Sequence, residues 1–130
     1  MSLRFYLILA CAGGVGSVCR FTLGRFAIRM FELPAPWPTL VINCLGALLI
    51  GAFAEFFSGR DGFSSERSSD VQLWMISGLL GGFTTFSAFS LETVQLMQAG
   101  LWSQAVANVF LSVLLCLLMC MVGMYLARMV

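Results

Sequence analysis

The sequence predicts an all-α membrane protein with four transmembrane helices per chain, forming one domain over residues 1–130. Three observations carry that prediction. The chain is 60% hydrophobic and only 10% charged, and its mean hydropathy is +0.96. The apolar residues gather into four stretches near 3–26, 38–58, 71–98 and 101–128, each about the length of the roughly 20 apolar residues that cross a hydrocarbon core. So little sequence remains between them that no soluble catalytic or nucleotide-binding unit is expected, and the chain is not read as an enzyme. No cleavable leader is expected either. The first stretch begins at Leu3 with only Arg4 ahead of its core and has no convincing cleavage site.

Net charge is +1, with seven basic residues, all arginine, and no histidine, which argues against a polybasic surface for nucleic acid or lipid. The five cysteines, Cys11, Cys19, Cys44, Cys116 and Cys120, all fall inside apolar stretches, where a free thiol behaves as a small hydrophobe. The competing reading is a soft-metal pair at Cys116 and Cys120, one turn apart and close to Met119, Met121 and Met124. The lack of a polar relay disfavours it.

In the first span, Ala12 and Gly16, and Gly13 and Ser17, set small residues four apart, a face that lets a second backbone approach closely. Arg25 and Arg29 suit snorkelling to the interface. Arg20, a turn deeper, fits either that role or a positive charge at the mouth of an anion path. The linker at 32–38 holds Pro34, Pro36 and Pro38, which restrict the residues before them, while Pro38 itself suits a first helical turn. The second span, from 39 to about 57, carries Asn43 a turn inside the membrane, with Gly46, Ala47 and Gly51 on nearby turns. A membrane asparagine is either interhelical glue or a two-proton donor that faces an anion.

The polar segment 58–70 carries charges of both signs and is expected to be a solvated connector. The third span, beginning near Val71 and ending near Gln98, contains Gly81-Gly82-Phe83-Thr84-Thr85-Phe86-Ser87-Ala88-Phe89-Ser90. Two glycines and two threonines in succession weaken a helix there. A break would free carbonyls, which suit a small cation, and would start a half-helix whose N-terminus suits an anion, with Thr84 or Thr85 as its cap. The alternative is an intact helix with a close-packed glycine face. Phe83, Phe86 and Phe89 form a ladder that either fills lipid and core or turns the positive ring edges toward an anion; Ser87 and Ser90 beside it favour the second. Ala99-Gly100 makes a short turn. The fourth span, about 101–128, aligns Asn108, Ser112 and Cys116 in one weakly polar stripe.

Four spans place both termini and the 58–70 connector on one side, with Arg4, Arg60, Arg67 and Arg128, against Arg25, Arg29 and a snorkelling Arg20 on the other. Orientation follows this asymmetry, and here it is slight. The chain is therefore expected to insert either way round and to build an antiparallel dimer.

At these residues the sequence resembles the Fluc (CrcB-type) fluoride channels, small bacterial membrane proteins. The resemblance covers essentially the whole chain and rests on the glycine-rich first span with Arg20, on Asn43-Cys44-Leu45-Gly46 after the proline-rich linker, and on the Gly81–Ser90 motif followed by Glu92. It implies an antiparallel, dual-topology homodimer in a bacterial inner membrane that exports cytoplasmic fluoride passively and so confers fluoride resistance. By match to the motif, Phe86 and Phe89 are the ring pair of the fluoride pathway, Asn43 the coordinating amide and Arg20 the vestibule arginine. Ser87, Ser90 and the stripe containing Ser112 form the polar wall, and Glu92 is the acidic position near its end. A structural sodium ion (Na+) is implied at the dimer centre, on the main-chain carbonyls of Gly81 and Thr84. Ala88 and Cys116 stand where a hydroxyl is usual, which thins the wall. Two rivals remain: a proton-coupled multidrug exporter of similar length and four-span layout, which needs a carboxylate in the first span that is missing here, and a non-conducting structural subunit that packs against a larger transporter through its small-residue faces.

Overall fold

The computed structural model describes residues 2–58 and 69–129. Among them the chain is all helix and turn, with four helices long and apolar enough to cross a membrane. Helix α1 spans Leu3–Phe31, begins at Ser2, whose hydroxyl accepts from the Phe5 N–H at 3.4 Å, and ends at Glu32 with φ 50°. It runs five residues past the expected end at Phe26. No breaker occurs before Pro34, whose ring constrains only Leu33. Helix α2 spans Trp37–Ser58, with Pro38 in its first turn as expected.

The third span, Asp70–Gln98, is two helices. Helix α3, residues 69–83, starts slightly before the expected Val71 and contains an unexpected π-helical stretch over Leu73–Leu80. Thr84 (φ −84°, ψ 159°) and Thr85 (φ −150°, ψ 112°) are extended, and helix α4 resumes over Phe86–Gln98. The predicted break is therefore present, at the two threonines. A short turn in which Gly100 takes φ 76° leads to helix α5, Trp102–Arg128. Most of the 58–70 connector, with Arg60 and Arg67, lies outside the described residues.

The helices pack as two parallel pairs. In one, α1 lies along α3: the rings of Phe5 and Trp74 are 5.9 Å apart, and a Cβ on Gly82 would overlap the Gly13 carbonyl. The Ser17 hydroxyl donates to the Gly82 carbonyl at 3.3 Å. In the other, α2 lies along α5, where a Cβ on Gly51 would strike the Cys120 carbonyl and one on Gly123 the Leu48 carbonyl. Arg128 Nε donates to Glu55 Oε1 at 2.8 Å at the end of that seam. The small-residue faces predicted on the first two spans thus do what membrane packing asks of them. Lipid is as apolar as leucine, so helices associate through close backbone approach instead of through hydrophobic burial. Accordingly, no large side chain among the described residues is fully buried.

Candidate functional site

The break in the third span must be closed without water, because an unsatisfied backbone group in hydrocarbon costs several kcal/mol. Asn43 of α2 closes it. Its Nδ2 donates to the Thr85 carbonyl at 3.1 Å, and its Oδ1 accepts from the Thr85 N–H at 2.8 Å. Gly46, one turn along α2, lets the break come this close: a Cβ there would overlap the Thr84 methyl. Thr85 is the cap of α4, its Oγ1 accepting from the Ala88 N–H at 3.2 Å. Thr84 closes the other half, its N–H and hydroxyl both directed to the Leu80 carbonyl, at 2.9 and 3.0 Å. The glue reading of Asn43 is thus realised on backbone. One of its two amide protons remains without an acceptor among the described residues.

Diverting these donors has a second effect. In an unbroken helix the Thr85 N–H would bond the Gly81 carbonyl and the Ala88 N–H the Thr84 carbonyl. Here the first goes to Asn43 and the second to the Thr85 hydroxyl. The carbonyls of Gly81 and Thr84 are therefore released from the helix ladder, and hard oxygens of this kind suit a small cation.

Beside the break lies a cavity of about 440 Å³, lined by Asn43, Thr85, Phe86, Phe89, Ser112 and Cys116 among others. The Phe86 and Phe89 rings sit 5.2 Å apart, tilted by 44°. Phe89 is buried and Phe86 is 77% exposed, because Phe86 is the first residue after the break and projects past the chain's own helices. The expected three-ring ladder is split. Phe83, before the break, lines a separate apolar groove with Val18, Cys19, Thr22, Leu23 and Phe26. Two extended residues turn the helix face between Phe83 and Phe86, which a ladder drawn on a continuous helix does not allow for.

The polar residues expected around the rings divide. Ser112 lines the cavity, and its hydroxyl donates to Asn108 Oδ1 at 3.4 Å. Ser87 is exposed, with its hydroxyl 3.1 Å from the Thr85 hydroxyl. Ser90 turns inward on its own helix and donates to the Phe86 carbonyl at 2.9 Å. Arg20 is half-buried on α1 and is not among the residues lining this cavity. Glu92 lies by a smaller cavity of about 140 Å³ with Ala35, Pro36 and Gln95. Its Oε1 accepts from Thr39 at 2.7 Å, and its Oε2 is buried without a partner among the described residues.

Two supporting residues were not singled out from sequence. Thr93 donates to the Phe89 carbonyl at 2.7 Å and accepts from Asn108 Nδ2 at 2.8 Å, tying α5 to the turn that carries the inner ring. Thr39 holds Glu92. Each threonine stands one turn from a residue already marked by the motif, Thr93 after Phe89 and Thr39 before Asn43, and that spacing was the available signal.

A four-span bundle with one interrupted helix, its backbone closed by a side-chain amide and its rings facing a cavity, defines a small multi-pass membrane protein of the ion-pathway type, in which irregular backbone at membrane depth lines a cavity. The family model described as CrcB-like protein, camphor resistance (CrcB), matches residues 7–124. The chain belongs to that family. It is 42% identical over 117 residues to the fluoride-specific ion channel FluC of Shewanella frigidimarina, covering 90% of each chain. It is 40% identical over 125 residues to the protein of the same name from Sulfurovum sp. (95% of this chain, 94% of the relative). A third protein of that name, from Opitutus terrae, is 37% identical over 121 residues (93% and 90%).

Proposed function

We propose that this protein is a passive fluoride-selective channel of the bacterial inner membrane that exports cytoplasmic fluoride, working as an antiparallel homodimer. The observation that carries the reading is the cavity at the break, where a tilted aromatic pair, an amide with a free proton and a hydroxyl meet. An anion there loses its water to ring edges, which carry partial positive charge, and to the remaining Asn43 N–H, while Ser112, its proton directed to Asn108, lines the wall. The N-terminus of α4 adds N–H groups that no helical carbonyl takes. Ser87, its hydroxyl beside that of Thr85, extends the polar wall, Arg20 raises local anion concentration at the vestibule, and Glu92 with Thr39 stands toward the far end.

The dimer is supported by what one chain leaves uncovered. Phe86 is 77% exposed and Gly81 is exposed, so a ring and the residue just ahead of the break are both left uncovered by the chain's own helices. A second copy in the opposite orientation would cover both. The carbonyls of Gly81 and Thr84 would then hold a sodium ion, whose charge compensates the lost helix hydrogen bonds. The multidrug-exporter alternative needs an acidic residue in the first span, and α1 has none. Nothing favours the structural-subunit alternative over conduction.

Liposomes containing only this protein should release fluoride on collapse of the membrane potential and retain chloride. Phe86→Ile and Phe89→Ile should each slow fluoride release at least tenfold, the factor given by ~1.4 kcal/mol of lost ion stabilisation, with the dimer intact by size-exclusion chromatography. Equal leakage of both halides, or full flux in both variants, would remove the rings from the mechanism.

A further inference from the structure

Two thiols on different helices meet beside the cavity. Cys44 Sγ of α2 and Cys116 Sγ of α5 are 3.9 Å apart, both are free, both are half-buried, and Cys116 lines the same cavity as Asn43, Phe86 and Phe89. The spacing is fixed by the α2–α5 seam, where Gly51 abuts the Cys120 backbone and Gly123 abuts Leu48. A disulfide would bring the sulfurs to about 2.04 Å, a closure of roughly 1.9 Å between helices whose backbones already touch. A two-coordinate metal ion asks for the opposite adjustment. With metal–sulfur bonds of about 2.3 Å, the sulfurs move apart by roughly 0.7 Å, which side-chain rotation supplies.

The donor set selects the ion. Among the described residues no group of three or more His, Cys, Asp or Glu side chains could hold a metal, so the donors do not suit four-ligand zinc, and two thiols at this spacing suit an ion that takes two ligands. Thiol donors favour soft metals and bind them with loss of their protons. A monovalent ion on two thiolates leaves a net negative charge in a low-dielectric surrounding, which is costly. A soft divalent ion leaves none: Hg2+ and two thiols give a neutral mercuric bis-thiolate and two protons, with no change of oxidation state. We propose that Cys44 and Cys116 form a two-coordinate site for a soft, mercuric-type dication, and that an ion bound there obstructs the cavity beside Asn43 and the ring pair. The binding half stands apart from the channel reading; the obstruction half rests on it.

Mercuric chloride is the probe, added to the purified protein with an excess of a monothiol competitor. The wild type and a variant carrying Cys11→Ala, Cys19→Ala and Cys120→Ala should each retain one mercury per chain and lose two titratable thiols. Cys44→Ser and Cys116→Ser should each retain at least tenfold less. Equal retention by either serine variant, or loss of a single thiol per ion, overturns the site. In liposomes, mercury should slow fluoride release at least tenfold in the triple variant and spare Cys44→Ser, each compared with its own mercury-free rate. Unchanged release with mercury bound overturns the obstruction. Absence of fluoride release before mercury is added overturns the channel reading and leaves the binding result standing.

Discussion

Replacing Asn43 with alanine is expected to abolish fluoride release and to lower the thermal unfolding temperature in detergent more than any other change at the cavity. The amide is the partner of both the N–H and the C=O of Thr85. Its removal orphans two backbone groups at about 1–3 kcal/mol each, in a setting where water does not replace it. The break would then either admit water or close into continuous helix, and in both outcomes the Phe86–Phe89 pair loses its placement. Fluoride release should fall at least a hundredfold. Asn43→Ala protein that unfolds at the wild-type temperature and still conducts would show that another group closes the break.

The second large effect is expected at Gly82, with a contrast of sign at Gly14. In Gly82→Ala the new Cβ overlaps the Gly13 carbonyl and presses on Cα of the same residue. Neither obstacle is a flexible side chain, so the α1–α3 seam must part and the Ser17–Gly82 hydrogen bond goes with it. Overpacking of this kind costs typically 1–3 kcal/mol, and thermal melts in detergent should register it as a clear destabilisation. Gly14→Ala meets nothing within 4 Å. There alanine removes the entropy cost of a mid-helix glycine, roughly 0.5–1 kcal/mol, so the melt should shift slightly upward. Two substitutions of the same size, one inside the α1–α3 seam and one outside it, should therefore move stability in opposite directions; matching shifts would refute the seam.

How much of this is legible in the sequence depends on what each feature needs. The four spans need only local hydropathy. The break needs only the weak helix propensity of Gly81-Gly82 followed by Thr84-Thr85, and it falls where those residues predict. The sequence offers two threonines as the cap, and geometry selects Thr85. What stayed hidden is what two distant segments decide together. Asn43 was marked as either glue or donor, and its partner turned out to be the backbone of a residue 42 positions away. Likewise Ser90 reads as pore-lining by spacing, yet its hydroxyl is satisfied by the Phe86 carbonyl within the same turn, a competition that any helical serine can enter. The ladder of three rings failed for a related reason: periodicity was carried across a point where the helix ends. The end of α1 was missed because no residue between Phe26 and Phe31 differs chemically from those inside the helix.

The π-helical stretch over Leu73–Leu80 has a consequence for how this chain tolerates change in length. Wider turns of this sort accommodate one residue more than an α-helix would over the same rise. Deleting a single residue there would let the turn tighten and leave the Gly81–Ser90 motif pointing where it does now. The same deletion in α2 or α5 would swing everything downstream through about 100°. The third span thus carries its own slack, placed just ahead of the segment whose aim matters most.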